Sequence, residues 1–456
     1  MVGGSGISDK VNYFRKTEKN SLLKKFFLFF LHCRAKRDII IEQVQKRGYQ
    51  AVMKSLKELY QIGSGPSSSH TMAPEKIAKI FKKEYPEAEF KVHLYGSLAY
   101  TGKGHGTDTV LKKVLGENAE IIFDYDKTDI PHPNTLDTEV FMNGKRIACR
   151  RAYSLGGGAY RIEGEPEDTT PQVYPHKSFA EIKEYCIKND LRLSDYVFRA
   201  EPEIREYLDT IWETMVAAIK RGLSAEGVLP GGLGVQRKAK FLYSQRHIDE
   251  SPETRENRMV CSYAFAVAEE NAAGGTIVTA PTCGSSGVLP SVLYYVQKTR
   301  NMTKDAILRG LAVAGLIGNI IKTNASVSGA ECGCQAEIGS ACAMAAGGLA
   351  EMFELGYDQI EYATEICIEH HLGLTCDPVA GLVQIPCIER NAVAAMRALN
   401  ALSLADFLFS TRKVSLDTII EVMYETGKDL SSRYRETSEA GMAKLYTCPE
   451  NNKNCS

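Results

Sequence analysis

The chain has 456 residues, 44% hydrophobic and 24% charged, with a formal net charge of −1. That length allows two or three domains with sizeable cores, in a composition ordinary for a soluble globular protein. A nearly neutral chain has no general attraction for nucleic acid or an anionic membrane, so neither is an expected partner.

Residues 1–52 read as an N-terminal extension rich in Lys and Arg. Its apolar run Phe26-Phe27-Leu28-Phe29-Phe30-Leu31 is too short to span a bilayer, and no small-residue cleavage site follows it. Neither a membrane span nor a secretory signal is expected. Ile39, Ile40, Ile41, Val44, Val52, Leu56 and Leu59 are loosely helical in spacing and predict a helix over 38–61. A second helix should begin between Thr71 and Pro74 and run to about Tyr85, with Pro74 in its first turn and Glu75 complementing its dipole. Alternation then takes over. Phe90, Val92 and Leu94 share one face of a strand, Ile121-Ile122-Phe123 lies in another, and a short helix over 106–116 separates them. Asn143-Gly144 between two strand-like runs is a type I′ hairpin signal.

Residues 53–163 therefore predict a compact α/β domain. An acidic stretch with Pro166, Pro171 and Pro175 marks a linker over 164–190. The remainder, 191–456, reads as helical. Leu308, Leu311, Leu316 and Ile320 belong to a helix apolar nearly all round, with Gly310, Gly315 and Gly318 permitting close approach, and further helices are expected over 336–353 and 388–408. The expected fold class is α+β, an α/β domain followed by an all-helical one.

Thirteen cysteines, an odd number in a long chain, do not make a disulfide framework and favour a reducing cytoplasm. No Cys-x-x-Cys pair occurs, which argues against zinc ribbons, thioredoxin-like pairs and bacterial ferredoxin clusters. Three thiols stand in segments too glycine-rich, polar and proline-marked for core packing: Gly333-Cys334-Gln335, Thr375-Cys376-Asp377-Pro378 and Pro386-Cys387-Ile388-Glu389-Arg390. Cys387 follows a proline at a helix start, where backbone N–H groups favour a thiolate. Three thiolates can hold three irons of a cubane cluster and leave the fourth open as a Lewis acid. Their spacing matches no generic metal motif, so unrelated thiols remain an alternative on residue types alone. Cys332 is a rival ligand by position. Cys342, Cys33, Cys149, Cys186, Cys261 and Cys367 read as small hydrophobes, and Cys448 and Cys455 lie in the C-terminal tail.

A second candidate site is Gly63-Ser64-Gly65-Pro66-Ser67-Ser68-Ser69-His70-Thr71. Glycines free the backbone, serines offer hydroxyls and a helix start follows, a combination that binds a phosphate or an amino-acid carboxylate. His70 is a candidate base near neutral pH. His105 in Lys103-Gly104-His105-Gly106 and His132 in Pro131-His132-Pro133-Asn134 occupy loops, where a solvated histidine is the alternative. The stretch Asn271 to Gly287 is glycine-rich and lines a pocket or forms a tight loop. Neither Gly-x-x-x-x-Gly-Lys-Ser/Thr nor a strand-bound Gly-x-Gly-x-x-Gly is present, so nucleotide binding is not supported.

Six ordered runs, Ile62–Thr71, Lys103–Asp108, His132–Thr135, Asn271–Gly287, Ser328–Gly348 and Glu369–Asn391, together resemble the iron–sulfur-dependent L-serine dehydratases (L-serine ammonia-lyases). The resemblance covers about residue 53 to Cys448. It implies an N-terminal domain similar to an allosteric substrate-binding domain, an all-helical catalytic domain, cytoplasmic location and a homodimer. It also implies a [4Fe-4S] cluster on Cys334, Cys376 and Cys387, with Cys448 as the tail cysteine that can approach it. For such a reaction His70 is the candidate base, and Ser67, Ser68, Ser69, His105, His132 and Asn271 are the candidate L-serine contacts. Two departures stand out: Cys283 occupies a position where the family more often has asparagine, and Cys332 one where it more often has an apolar residue. The rival readings are a related lyase for L-threonine or L-cysteine and a non-catalytic iron–sulfur sensor.

Overall fold

The computed structural model describes residues 53–446 apart from 128, 166–171 and 247. The basic extension, Cys448 and the part of the expected 38–61 helix before Met53 lie outside the described residues. In chain order the sheet region comprises β1 (Ile62–Ser64), α1 (Ala73–Glu84), β2 (Glu89–Tyr95), α2 (Thr107–Leu115), β3 (Glu120–Asp124), β4 (Thr135–Met142), β5 (Lys145–Gly156) and β6 (Ala159–Ile162). The helical region follows with α3 (Phe179–Lys188), α4 (Leu193–Ala200), α5 (Ile204–Ser224), α6 (Ala239–Ser244), α7 (Pro252–Ala272), β7 (Thr276–Val278), α8 (Val288–Arg300) and α9 (Lys304–Asn324). It continues through α10 (Ser340–Met352), α11 (Tyr357–Glu369), α12 (Cys387–Leu408) and α13 (Leu416–Asp429). The fold is α+β, as the sequence implies.

The sheet runs in the order β3-β2-β4-β5-β6, with β2 and β3 parallel and the other pairs antiparallel. Phe90, Val92 and Leu94 are buried on one face of β2, where the alternation places them, and they pack with Ile77 and Phe81 of α1 and Leu111 of α2. Burial of a side chain such as Phe81 stabilises the layer by about 1.5–3 kcal/mol. Asn143 and Gly144 both have positive φ, 51° and 72°, which is the backbone a type I′ turn between β4 and β5 requires.

Two local expectations change. The helix predicted through residue 61 is, from Met53 onward, a single 3-10 turn at Leu56–Glu58. Met53 instead bridges Tyr174, and Thr279 holds both backbone groups of Gln61, so the chain is drawn out as β1. β1 pairs antiparallel with β7 in the register Ile62↔Val278 to Ser64↔Thr276, a short ribbon inside the otherwise helical region. Within the expected linker, residues 179–188 form α3. Ser178 and Glu181 make a capping box, and Phe179, Ile182 and Cys186 are buried.

α9 is long and apolar enough to cross a membrane, with mean hydropathy 1.4 over its window, yet 83% of that window is buried inside the protein. It is the central core helix. Gly310 lies against Met352 and the carbonyl of Gly348, where an added Cβ would stand 2.8 Å from Met352 Cγ, so α9 and α10 approach as closely as backbones permit.

Candidate active site

The loop after β1 and the helical region enclose a small, tight cavity between them. Pro66, Ser67 and His105 form one wall. Cys334, Glu337, Cys376, Cys387 and Glu436 line it from segments far apart in sequence. A more open groove lined by Lys238, Phe241, Glu253, Arg258 and Phe265 contains Cys261 and none of the expected site residues.

Local structure places each thiol. Cys387 is the first residue of α12, directly after Pro386, and Cys334 precedes a wide helical turn at Gln335–Gly339. Cys376 is extended: its N–H donates to the Tyr434 carbonyl at 2.8 Å, and its carbonyl accepts from the Glu436 N–H at 2.8 Å. Gly329 lets the backbone pass close to this wall, since a Cβ there would lie 2.7 Å from Glu337 Oε2 and 3.2 Å from Cys376 Sγ. The ligand atoms of Cys334, Glu337 and Cys376 lie within 4.8 Å of one another.

Electrostatics divides the thiols. A hydrogen bond from Cys376 and the nearby Arg390 guanidinium bring Cys334 down to about 6, against the opposing effect of burial. Cys376 moves the other way, held up by that same hydrogen bond and by burial. Burial raises Cys387. Glu337 is pushed well up by burial and by the charge of Cys334, and Glu436 is pushed up to about 8 by the same two causes. Arg390 sits one turn along α12 from Cys387, donates to the Thr375 carbonyl at 2.6 Å and so ties two thiol segments together.

His70 is fully buried, and desolvation lowers its pKa to about 4, so the ring is neutral. Its tautomer follows from its partners. Ser97 donates its hydroxyl proton to the Glu436 carbonyl at 2.7 Å, and Thr101 donates its own to the Ser97 carbonyl at 2.9 Å. Both hydroxyl oxygens also lie near His70 Nε2, at 3.1 and 3.0 Å, and can only accept there. Nε2 therefore carries the proton. Nδ1 keeps its lone pair, accepts from Ser69 at 2.8 Å and lies 3.6 Å from Glu436 Oε1. The basic nitrogen is on the side of Ser67 and Glu436, both of which line the cavity.

The other expected residues divide into those at the cavity and those behind it. Ser67 lines it and caps the His70 N–H at 3.1 Å. Ser68 and Ser69 are buried in the same turn, where Ser69 serves His70 rather than the lining. His105 lines the cavity with its ring 4.5 Å from that of His70, and its buried Nδ1 has no hydrogen-bond partner. Asn271 stands behind the loop, donating to the Pro66 carbonyl at 2.9 Å. Gly65 must be glycine there, because a Cβ would come within 2.2 Å of the Asn271 carbonyl oxygen. His132 lies outside the lining; its Nδ1 accepts from the Asn134 N–H at 3.0 Å. Cys283 and Cys332 are buried elsewhere, the first against Met72 Sδ at 3.4 Å and the second against Gly427. Glu337, Glu436, Ser97 and Thr101 were not singled out from sequence, since isolated carboxylates and hydroxyls carry no spacing signal. Arg390 did have one: it lies three residues after Cys387 and shares its helix face.

Thiols and carboxyl groups along one cavity, with a neutral imidazole directly behind its lining, make up the acid–base and soft-donor chemistry of an enzyme site. Residues 71–443 match the family model described as serine dehydratase alpha chain. L-serine dehydratase 1 of Escherichia coli is 40% identical over 456 residues, covering 87% of this chain and 100% of the relative. L-serine dehydratase of Haemophilus influenzae is 40% identical with coverage of 87% and 100%, and that of Streptomyces coelicolor 40% identical with coverage of 85% and 98%. The chain belongs to the L-serine dehydratase family.

Proposed function

We propose that this protein is a lyase that converts L-serine to pyruvate and ammonia, and that Cys334, Cys376 and Cys387 hold a [4Fe-4S] cluster. One observation carries the reading: three thiols from separate segments line a single cavity, and His70 Nδ1 lies just behind it, 3.6 Å from the lining carboxyl group of Glu436. The donor set fits the group. The donors are soft, three in number and grouped with one arginine, while Cys283 and Cys332 lie outside the lining. Cys448 remains the candidate tail ligand.

When bound, such a cluster supplies a Lewis-acidic iron that makes a hydroxyl a better leaving group. The chain's own residues do the rest. The substrate carboxylate is received by the Ser67 hydroxyl and the helix start behind it. His70 Nδ1 takes the α-proton, and the Nε2–H bonds to Ser97 and Thr101 hold the imidazolium that results. Burial excludes water from that nitrogen. Loss of the proton and of the β-hydroxyl leaves 2-aminoacrylate, which hydrolyses to pyruvate and ammonia after release.

A reducing cytoplasm suits thiols of this kind. A homodimer is part of the reading and is supported by the apolar face of α12, where Val393 and Phe407 are 66% and 81% exposed; a monomer mass in sedimentation would contradict it. The test of substrate class is turnover across L-serine, L-threonine and L-cysteine by the loaded protein. L-serine should give the highest kcat/KM, and a preference for either of the others would overturn the assignment.

A further inference from the structure

The elimination leaves one substrate group without a partner, the α-ammonium. We propose that the Glu436 carboxylate, with Nδ1 of His105 beside it, receives that ammonium and makes the site selective for amino acids over hydroxy acids. The inference rests on the lyase reading above.

Three observations support it. Glu436 Oε1 lies 3.6 Å from His70 Nδ1. A base attacks from about 3–3.5 Å, the ammonium nitrogen is about 1.5 Å from the α-carbon, and a charge-assisted N–H···O contact spans about 2.8 Å. These lengths close a figure in which the α-carbon faces His70 while its nitrogen faces Glu436. His105 Nδ1 is the second observation: it is buried, lies at the cavity and has no hydrogen-bond partner. An ammonium supplies the proton that this nitrogen lacks, and its charge favours the carboxylate form of Glu436.

The backbone is the third. Glu436 has φ of +59°, a left-handed conformation that a non-glycine residue adopts when its surroundings impose it. They do so here: its N–H donates to the Cys376 carbonyl, its carbonyl accepts from Ser97, and the Ala330 N–H donates to its carboxyl group. The other carboxyl group in the lining, Glu337, is placed against Cys334 and Cys376 and is bonded to Thr282. Asp377 is turned away toward the Thr375 hydroxyl and the Met442 N–H.

The test compares two non-reacting ligands, L-alanine and propanoate, which share a carboxylate and a methyl group but differ in the ammonium. Titration calorimetry on anaerobically loaded protein should show L-alanine binding at least about 30-fold more tightly than propanoate. Glu436→Gln should shrink that gap to within about threefold while visible absorbance of the cluster is unchanged, and Glu436→Asp should restore part of it. KM for L-serine should rise in Glu436→Gln by more than kcat falls. A Gln variant that keeps the full gap, or wild-type protein that binds propanoate as tightly as L-alanine, overturns the inference. The wild-type comparison decides even if the variant does not fold. A wild-type protein that makes no pyruvate would instead sink the lyase reading, and the ligand pair would still report on Glu436.

Discussion

Replacing Cys376 by serine is expected to abolish pyruvate formation, with a loss of about a thousandfold or more, because a Lewis-acid contribution of several kcal/mol goes with the metal. Serine preserves the shape of the wall and the backbone bonds of Cys376 to Tyr434 and Glu436, so the loss falls on ligation rather than on folding. Iron content and visible absorbance of the anaerobically loaded protein should fall with activity. The contrast is Cys332→Ala, which removes a buried thiol two residues from Cys334 that packs on Gly427. It should keep both iron and turnover. Equal iron loss in the two variants would mean that the ligands have been misassigned.

His70→Ala should lower kcat by about two to four orders of magnitude while leaving iron content unchanged. The variant removes the nitrogen that accepts the α-proton, and the adjacent Glu436 carboxylate is engaged by the substrate ammonium. His105 is the nearest imidazole, but its unpartnered Nδ1 is the nitrogen assigned to the α-ammonium rather than to the α-carbon. Ser69, Ser97 and Thr101 are hydroxyls that orient the ring and cannot serve as bases near neutral pH. Near-normal turnover by a fully loaded His70→Ala protein would show that another group takes the proton.

Local patterns were legible where local physics decides the structure. The alternation of Phe90, Val92 and Leu94, the Asn143-Gly144 turn and the all-round apolar α9 each follow from periodicity or a required φ. Cys387 at a helix start and the serine-rich loop before α1 were likewise readable from residue types. Contacts between distant segments were not. β1 and β7 are three-residue strands more than 200 residues apart whose pairing has no local signature. The prolines around 166–175 read as a linker and masked the capping box of α3. Glu436 sits in a polar tail as a single carboxylate, and its importance appears only once Cys376 draws that segment across the thiol wall. Ser97 and Thr101 fix the tautomer of His70 from a turn that sequence gives no reason to place beside it.

The central claim is that turnover depends on iron held by three cysteines. The most direct measurement is pyruvate release from L-serine by protein purified anaerobically and reloaded with iron and sulfide, scored against iron per chain before and after exposure to air. The account predicts a rate that rises with iron to a plateau near about four irons per chain and is lost as air removes them. An iron-free preparation that deaminates L-serine at the full rate would contradict it.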